Sequence, residues 1–390
     1  MKFLQICPKP PKPLIDGGCI AMNDLTSGLK NAGHNVSVFA MATEKHPFVE
    51  GVNSGDFNYE EISTAINPVS AFVNLVSNKS YNISRFHHSS AECAIENILR
   101  GEEYDFVILE SLYSCPYIDT IRSNSKAQII LRAHNVEHQI WDSLASKTSN
   151  ALKSWYLSKL TVQLEKFELS VLSDLDAVIT MTDEDGEWFR KAGVKNLHTL
   201  PFSIDFKEPK RQSTFDHVFH LGSMDWMPNV EGVKWLLEEV WPLVREESSE
   251  ARIVIAGRGM PPEFKSEPSM GVEVLGEVKS AVEFLDRPGI ATVPILSGSG
   301  MRIKAIEAMA AELPVVGTEL GLEGLGLENG KNALIANSPN DFAQAILDLL
   351  SDPSKASMIA KNGAKHINQN FNTNLVFKDL ISFLKKIGKF

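Results

Sequence analysis

Short apolar runs recur along the chain, each bounded by turn residues, and they alternate with stretches whose apolar positions repeat every three to four residues. The runs at residues 3–7, 35–41, 105–109, 127–132 and 176–181 predict short buried parallel strands. A second series, at 217–221, 252–256, 272–275, 289–296, 314–318 and 333–335, restarts the same pattern. Each series opens with strand, glycine turn and helix. In the first, residues 3–7 lead through a Pro-rich loop to Asp16-Gly17-Gly18 and a helix bearing Ile20, Leu25 and Leu29. In the second, 217–221 lead through Gly222-Ser223 to a helix over 229–244 with Trp235, Leu236, Val240 and Trp241.

This alternation predicts an α/β protein of two Rossmann-like domains facing across an interdomain cleft, with ligands held at the carboxyl ends of the strands. The expected boundaries are 1–205 for an acceptor-side domain, 206–372 for a donor domain, and 373–390 for a C-terminal helix that packs back on the first domain. Residues 202–214 read as the hinge. Residues 43–82 have no clear period. A helix is expected over 147–168, carrying Trp155, Tyr156, Leu160 and Leu164 among Lys147, Lys153, Lys159 and Lys166, and Asp183 is expected to cap the next one.

The chain's 390 residues exceed what one core usually serves, in keeping with two domains. A net charge of −11 argues against a general nucleic-acid binder, whose affinity comes from basic surface. Cys7, Cys19, Cys93 and Cys115 lack CxxC spacing, so neither a zinc site nor a disulfide framework is expected. The apolar run at the N-terminus is too short for a signal-peptide core. A cytoplasmic protein is expected. Peripheral contact with the inner face of a membrane is a minority reading, resting on the basic helix over 147–168 and on the amphipathic C-terminal helix.

Residues 296–321 carry the main chemical signal. Ser297, Gly298, Ser299 and Gly300 form a turn that lets backbone approach a ligand, and Met301 leads into a helix whose positive end favours phosphate oxygens. Arg302 and Lys304 add formal charge, and Glu307 could accept hydrogen bonds from a diol such as ribose. Other polar groups follow predicted strands: Gly17 and Gly18, Ser223, Arg258, and Glu277 with Val278. After residues 127–132 come His134, Asn135 and Glu137, which are site candidates or, equally, loop residues that satisfy backbone groups.

These segments resemble the retaining glycosyltransferases of the GT-B fold, family 4, also called glycosyl transferases group 1. The likeness is strongest over 218–336, where HLGSMDWMPNVEGVKWLLEEVWP, IVIAGRG, VLGEV and GSGMRIKAIEAMAAELPVVGTELGLEGL follow in the family's order. RAHNVEHQIW and the Asp-Gly-Gly turn extend it into the first domain. The resemblance implies sugar transfer from a nucleotide-diphosphate sugar to a glycan or lipid-linked acceptor, in polysaccharide or glycoconjugate biosynthesis. It implies that residues 298–301 hold the diphosphate, Glu307 the ribose, Glu277 and Val278 the base, and His134 the transferred sugar.

Two departures stand out. Ser299 occupies a position where the family often has a glutamate, and residues 223–229 lack the Arg and Lys that commonly neutralise the diphosphate. Arg302 and Lys304 are therefore expected to supply that charge. No Asp-x-Asp element is read as a holder of metal against diphosphate, so activity without a metal or other cofactor is expected. A sugar-nucleotide epimerase, a phosphorylase and a noncatalytic nucleotide-sugar-binding protein are the alternatives.

Overall fold

The computed structural model describes residues 1–52, 57–77, 79–148, 150–205, 215–298 and 301–388. The chain divides into two compact units, Met1–Phe202 with Val376–Phe390, and Ser203–Leu375. Each is built on one parallel sheet.

Unit 1 has seven strands: β1 (Lys2–Cys7), β2 (Asn35–Ala42), β3 (Phe57–Glu61), β4 (Phe106–Glu110), β5 (Gln128–Ala133), β6 (Ala177–Thr180) and β7 (Leu197–Thr199), in the order β3-β2-β1-β4-β5-β6-β7. The order reverses between β1 and β4, which is the winding that places a crevice at the carboxyl ends of those two strands. Alternate side chains feed opposite layers. Leu4, Ile6, Leu109, Ile129 and Leu131 pack into one core, and Phe3, Phe106, Ile108 and Ile130 into the other. Both faces are covered, which is why these strands read as unbroken apolar runs. The helix Thr373–Gly388 sends Phe377, Leu380 and Leu384 into the second core. Gly28 admits it there, since a β-carbon at that position would lie 2.0 Å from the Phe377 ring.

Unit 2 repeats the plan with six strands: β8 (Val218–Leu221), β9 (Ile253–Ala256), β10 (Val272–Gly276), β11 (Ile290–Val293), β12 (Val315–Gly317) and β13 (Leu334–Ile335), in the order β10-β9-β8-β11-β12-β13. Its reversal lies between β8 and β11.

Several local expectations need correction. The helix expected over 147–168 is Ala151–Val171, beginning four residues later because Asn150 caps it by accepting from the Lys153 amide at 3.0 Å, while Lys147 ends a separate helix, Glu137–Lys147. Thr182, not Asp183, caps the helix Asp183–Lys191, its hydroxyl accepting from the Asp185 amide at 3.1 Å. The helix expected over 229–244 starts earlier, at Met227, and is interrupted by a π turn at Leu236–Val240 ahead of Pro242, which has no amide to donate. The run at 289–296 is a strand only as far as Val293, where Pro294 stops it. The segment 43–82, which has no clear period in the sequence, contains β3 and the helix Pro68–Ser77. Most of the expected hinge, 206–214, lies outside the described residues.

Candidate functional site

In unit 2 the candidate residues gather at the carboxyl ends of β8 and β9 and after β11. The chain leaves β8 through Gly222 and Ser223 and enters the helix Met227–Trp235, with Pro228 in its first turn. The Ser223 hydroxyl and the Arg258 guanidinium both donate to the Asp225 carboxylate, at 3.1 and 2.8 Å. The Arg302 guanidinium is buried above the Trp226 ring, 4.9 Å from its centre, an arrangement in which the ring's negative face meets the cation. Gly298 turns beside the same indole with a φ of +93°, and a side chain there would meet the ring at 3.1 Å. Ser299 and Gly300 lie outside the described residues. Met301 is half-buried where the helix Ile303–Ala310 begins.

Lys304 reaches back from that helix to the end of β8. Its ammonium donates to Asn229 Oδ1 at 2.6 Å and approaches His220 Nε2 at 3.4 Å. The Asn229 amide donates in turn to the Ser223 carbonyl at 2.6 Å. His220 lies 3.1 Å from the Thr292 carbonyl through Nδ1, so Nδ1 carries the proton and Nε2 is free to accept from Lys304. Burial and the Lys304 charge hold His220 neutral, well below its ordinary pKa. Burial, with Arg302 adding to it, brings the Lys304 ammonium down to about 7. Glu307, one turn further along the helix, is pushed up to about 7 by burial. Among the described residues no hydrogen bond or ion pair reaches its carboxylate.

The floor of this cluster is backbone. A β-carbon on Gly222 would come 2.8 Å from Lys304 Nζ and 2.9 Å from His220 Nε2, and one on Gly257 would lie 1.7 Å from the Gly222 carbonyl oxygen. Two loops therefore cross without side chains between them. Glu277 and Val278 stand apart, exposed and half-buried respectively, in the loop that leaves β10.

Residues 216–352 match the family model of the glycosyl transferases group 1. The group 1 region takes in the whole unit 2 cluster just described. By sequence the chain is similar to an uncharacterized 44.6 kDa protein in the cps region of Klebsiella pneumoniae, 25% identical over 299 residues, covering 73% of this chain and 76% of that one. By structure it is similar to sucrose-phosphate synthase from Thermosynechococcus elongatus, at 16% identity, 99% coverage of both chains and a TM-score of 0.69. It is also similar to Anabaena HepE in complex with UDP, at 14% identity, 99% and 100% coverage and a TM-score of 0.65. At these identities the structural likeness is one of fold. The group 1 match and the paired parallel sheets together support a glycosyltransferase of the GT-B fold.

Unit 1 assembles a different kind of cluster around its own switch point. Glu110, the last residue of β4, is fully buried and accepts from Gln5 Nε2 at 2.7 Å, from His134 Nε2 at 2.6 Å and from Arg132 Nη1 at 3.4 Å. Burial would raise its pKa, but the Arg132 charge and the His134 and Gln5 hydrogen bonds hold it below the ordinary carboxylate value. Arg132 is anchored by donating to the Ala21 carbonyl at 2.7 Å. His134 therefore leaves β5 with its ring fixed by Glu110, and Asn135 follows half-buried. Glu137 is engaged differently. Its carboxyl accepts from the Tyr113 hydroxyl at 3.1 Å and burial raises its pKa to about 7, while Glu168 accepts from its amide at 3.1 Å.

Gly17 and Gly18 open the helix Gly17–Asn31, capped by Asp16, which accepts from the Cys19 amide at 2.9 Å and pairs with Lys9 at 2.6 Å. Space beside Gly17 is open, whereas a β-carbon on Gly18 would meet Lys9 Nζ at 3.1 Å. Despite the burial penalty, Lys9 and the cap hold the Asp16 carboxyl well below the usual range.

Sequence reasoning missed Glu110, Asn229, His220, Asp225, Trp226 and Lys9. Glu110 had one visible signal, a charge closing an apolar strand. Two Asp-x-Asp spacings do occur, at 174–176 and 183–185, with structural roles: Asp176 accepts from Arg122 at 2.7 Å and from the Ile129 amide, Asp183 accepts from the Thr199 hydroxyl, and Asp185 from the Thr182 hydroxyl.

Proposed function

We propose that the chain is a retaining, metal-independent glycosyltransferase of family 4 that moves a sugar from a nucleotide-diphosphate sugar to a glycan or lipid-linked acceptor, in polysaccharide or glycoconjugate biosynthesis. The observation that carries this reading is the Lys304 ammonium, held by Asn229 and His220 at the end of β8 inside the group 1 match. Residues 223–229 have no cation of their own, and Lys304 brings one to that loop from a distant helix. Arg302, Lys304 and the amides at the helix start stabilise the diphosphate leaving group by charge that is already in place before reaction. Glu307 takes the ribose hydroxyls, and Glu277 and Val278 line the base. His134, fixed by Glu110, contacts the transferred sugar. Retention follows from attack on the face the diphosphate leaves, with the departing phosphate taking the acceptor proton, so no dedicated base is needed. The enzyme works in the cytoplasm.

The test is a thermal-shift panel of UDP-, GDP- and ADP-sugars, because a ligand that binds only the native state raises the melting temperature. One nucleotide class is expected to stabilise, and sugar transfer with that donor is expected to persist with EDTA present. An absence of any shift would overturn the reading. Donor consumption without acceptor would favour an epimerase, and dependence on inorganic phosphate a phosphorylase.

A further inference from the structure

We infer that one outer face of unit 1, formed by the helices Pro68–Ser77 and Ala151–Val171, docks on the surface of an anionic lipid bilayer. The helix Ala151–Val171 is core-facing on one side, where Leu157, Leu160, Leu164 and Val171 are buried. The opposite side carries Leu152, Trp155, Lys159, Val162, Lys166 and Leu169 at successive steps of three and four, the spacing of a single stripe. Leu152 is 76% exposed and Trp155 51%, with Val162 and Leu169 also open to solvent. The stripe contains no acid. Apolar side chains interleaved with lysines are the pattern of a helix lying in a membrane interface, the lysine stems reaching past the apolar surface to the headgroups.

A second helix packed beside the first has an exposed apolar side of its own. Pro68–Ser77 carries no charge, and Val69, Val73 and Val76 project from one side at 72%, 57% and 72% exposure, with Ile66 at 73% just before it. It is fixed to the first helix from within. Ala71 shares a buried cluster with Leu157 and Leu160, and Gln163 donates to the Asn74 and Leu75 carbonyls at 3.3 Å.

Charge selects the partner. The chain is acidic, with a net charge of −11, yet residues 62–85 and 143–164 contain no Asp or Glu. They contain Lys79, Arg85, Lys147, Lys153 and Lys159. An apolar face with basic residues on an acidic protein, with Glu165 lying beside the stripe 4.0 Å from His138, is complementary to anionic headgroups and would orient the molecule as it approaches. The inference rests on the glycosyltransferase reading only for its purpose, which is to bring unit 1 to a lipid-linked acceptor.

The experiment is co-sedimentation of the full chain with vesicles of phosphatidylcholine containing 30% phosphatidylglycerol, alongside pure phosphatidylcholine. Binding is expected to the anionic vesicles, to weaken at least tenfold in Lys159→Ala/Lys166→Ala, where each lost lysine contributes roughly a factor of five, and to fail in Leu152→Ser/Trp155→Ser. These substitutions change exposed side chains and should leave thermal stability and the nucleotide shift intact, so failure here is separable from failure of the proposed reaction. Absence of wild-type binding, or binding that neither double variant reduces, would overturn the inference. So would a wild-type dimer by light scattering that becomes monomeric in Leu152→Ser/Trp155→Ser, since that face would then serve a second copy of the chain.

Discussion

Glu110 in unit 1 and Glu307 in unit 2 are both carboxylates withdrawn from water near the switch point of a parallel sheet. Glu110 is surrounded by Arg132, His134 and Gln5 and stays ionised in spite of its burial. Glu307 has burial acting alone and titrates near 7, as does Lys304 on the same helix. The Glu110 cluster has thus settled its charges internally, as a scaffold that fixes the orientation of His134, although burial pushes Glu137 of the same unit up to about 7. Unit 2 keeps a cation and a carboxyl partly dehydrated and poorly compensated. Perturbed titration of this kind concentrates at functional sites.

The contrast can be broken by removing the carboxylates. Glu110→Leu leaves the Arg132 guanidinium buried without its counterion, a loss of about 3–5 kcal/mol. Hydrogen exchange of the β4 and β5 amides under urea should register it, whereas Glu307→Leu should cost unit 2 nothing. Equal costs would erase the distinction between the units.

Lys304→Met probes the other side. The folded pKa of about 7 lies below the ordinary lysine value of 10.5, so this lysine's contribution to stability falls as pH drops from 10.5 towards 7 and stays low below that. Removing the charge should stabilise the free protein at pH 7 by about 1–2 kcal/mol, the unpaired Asn229 and His220 acceptors offsetting part of the relief. It should also weaken nucleotide-diphosphate binding by about two orders of magnitude, in the range of a lost charged hydrogen bond. In the wild type, calorimetric affinity should decline as pH rises from 6 to 8.5 and Lys304 loses its proton, and Lys304→Arg should flatten that slope. A slope unchanged in the arginine variant would remove Lys304 from the anion site. The smallest effect is expected at Asp16→Ala, where a lost helix cap and a released Lys9 should cost about 1 kcal/mol, seen as faster exchange of the Cys19 amide.

The buried strands were legible because both faces of each sheet are covered, so β1, β4, β5 and β6 are simple apolar runs. β3, with the sequence FNYEE at the sheet edge, and the three-residue β7 carry no such run and were missed. The start of the helix at Ala151 was misplaced by four residues because Asn150's capping role depends on its backbone conformation, which residue spacing does not show. The glycine turn and Arg302, Lys304 and Glu307 could be read directly, since they are adjacent in sequence. Their partners could not. Asn229 lies 75 residues from Lys304, His220 84 away, and Glu110 is 24 from His134, and only the winding of each sheet joins them.

The crossing of Gly222 and Gly257 constrains how this protein can be re-engineered. Because a single methyl at Gly257 would collide with the opposing carbonyl, donor choice cannot be altered by decorating that floor. A library meant to test the proposed nucleotide site should hold both glycines constant and randomise the rim residues 275–279, where exposed side chains can vary without moving the crossing backbone.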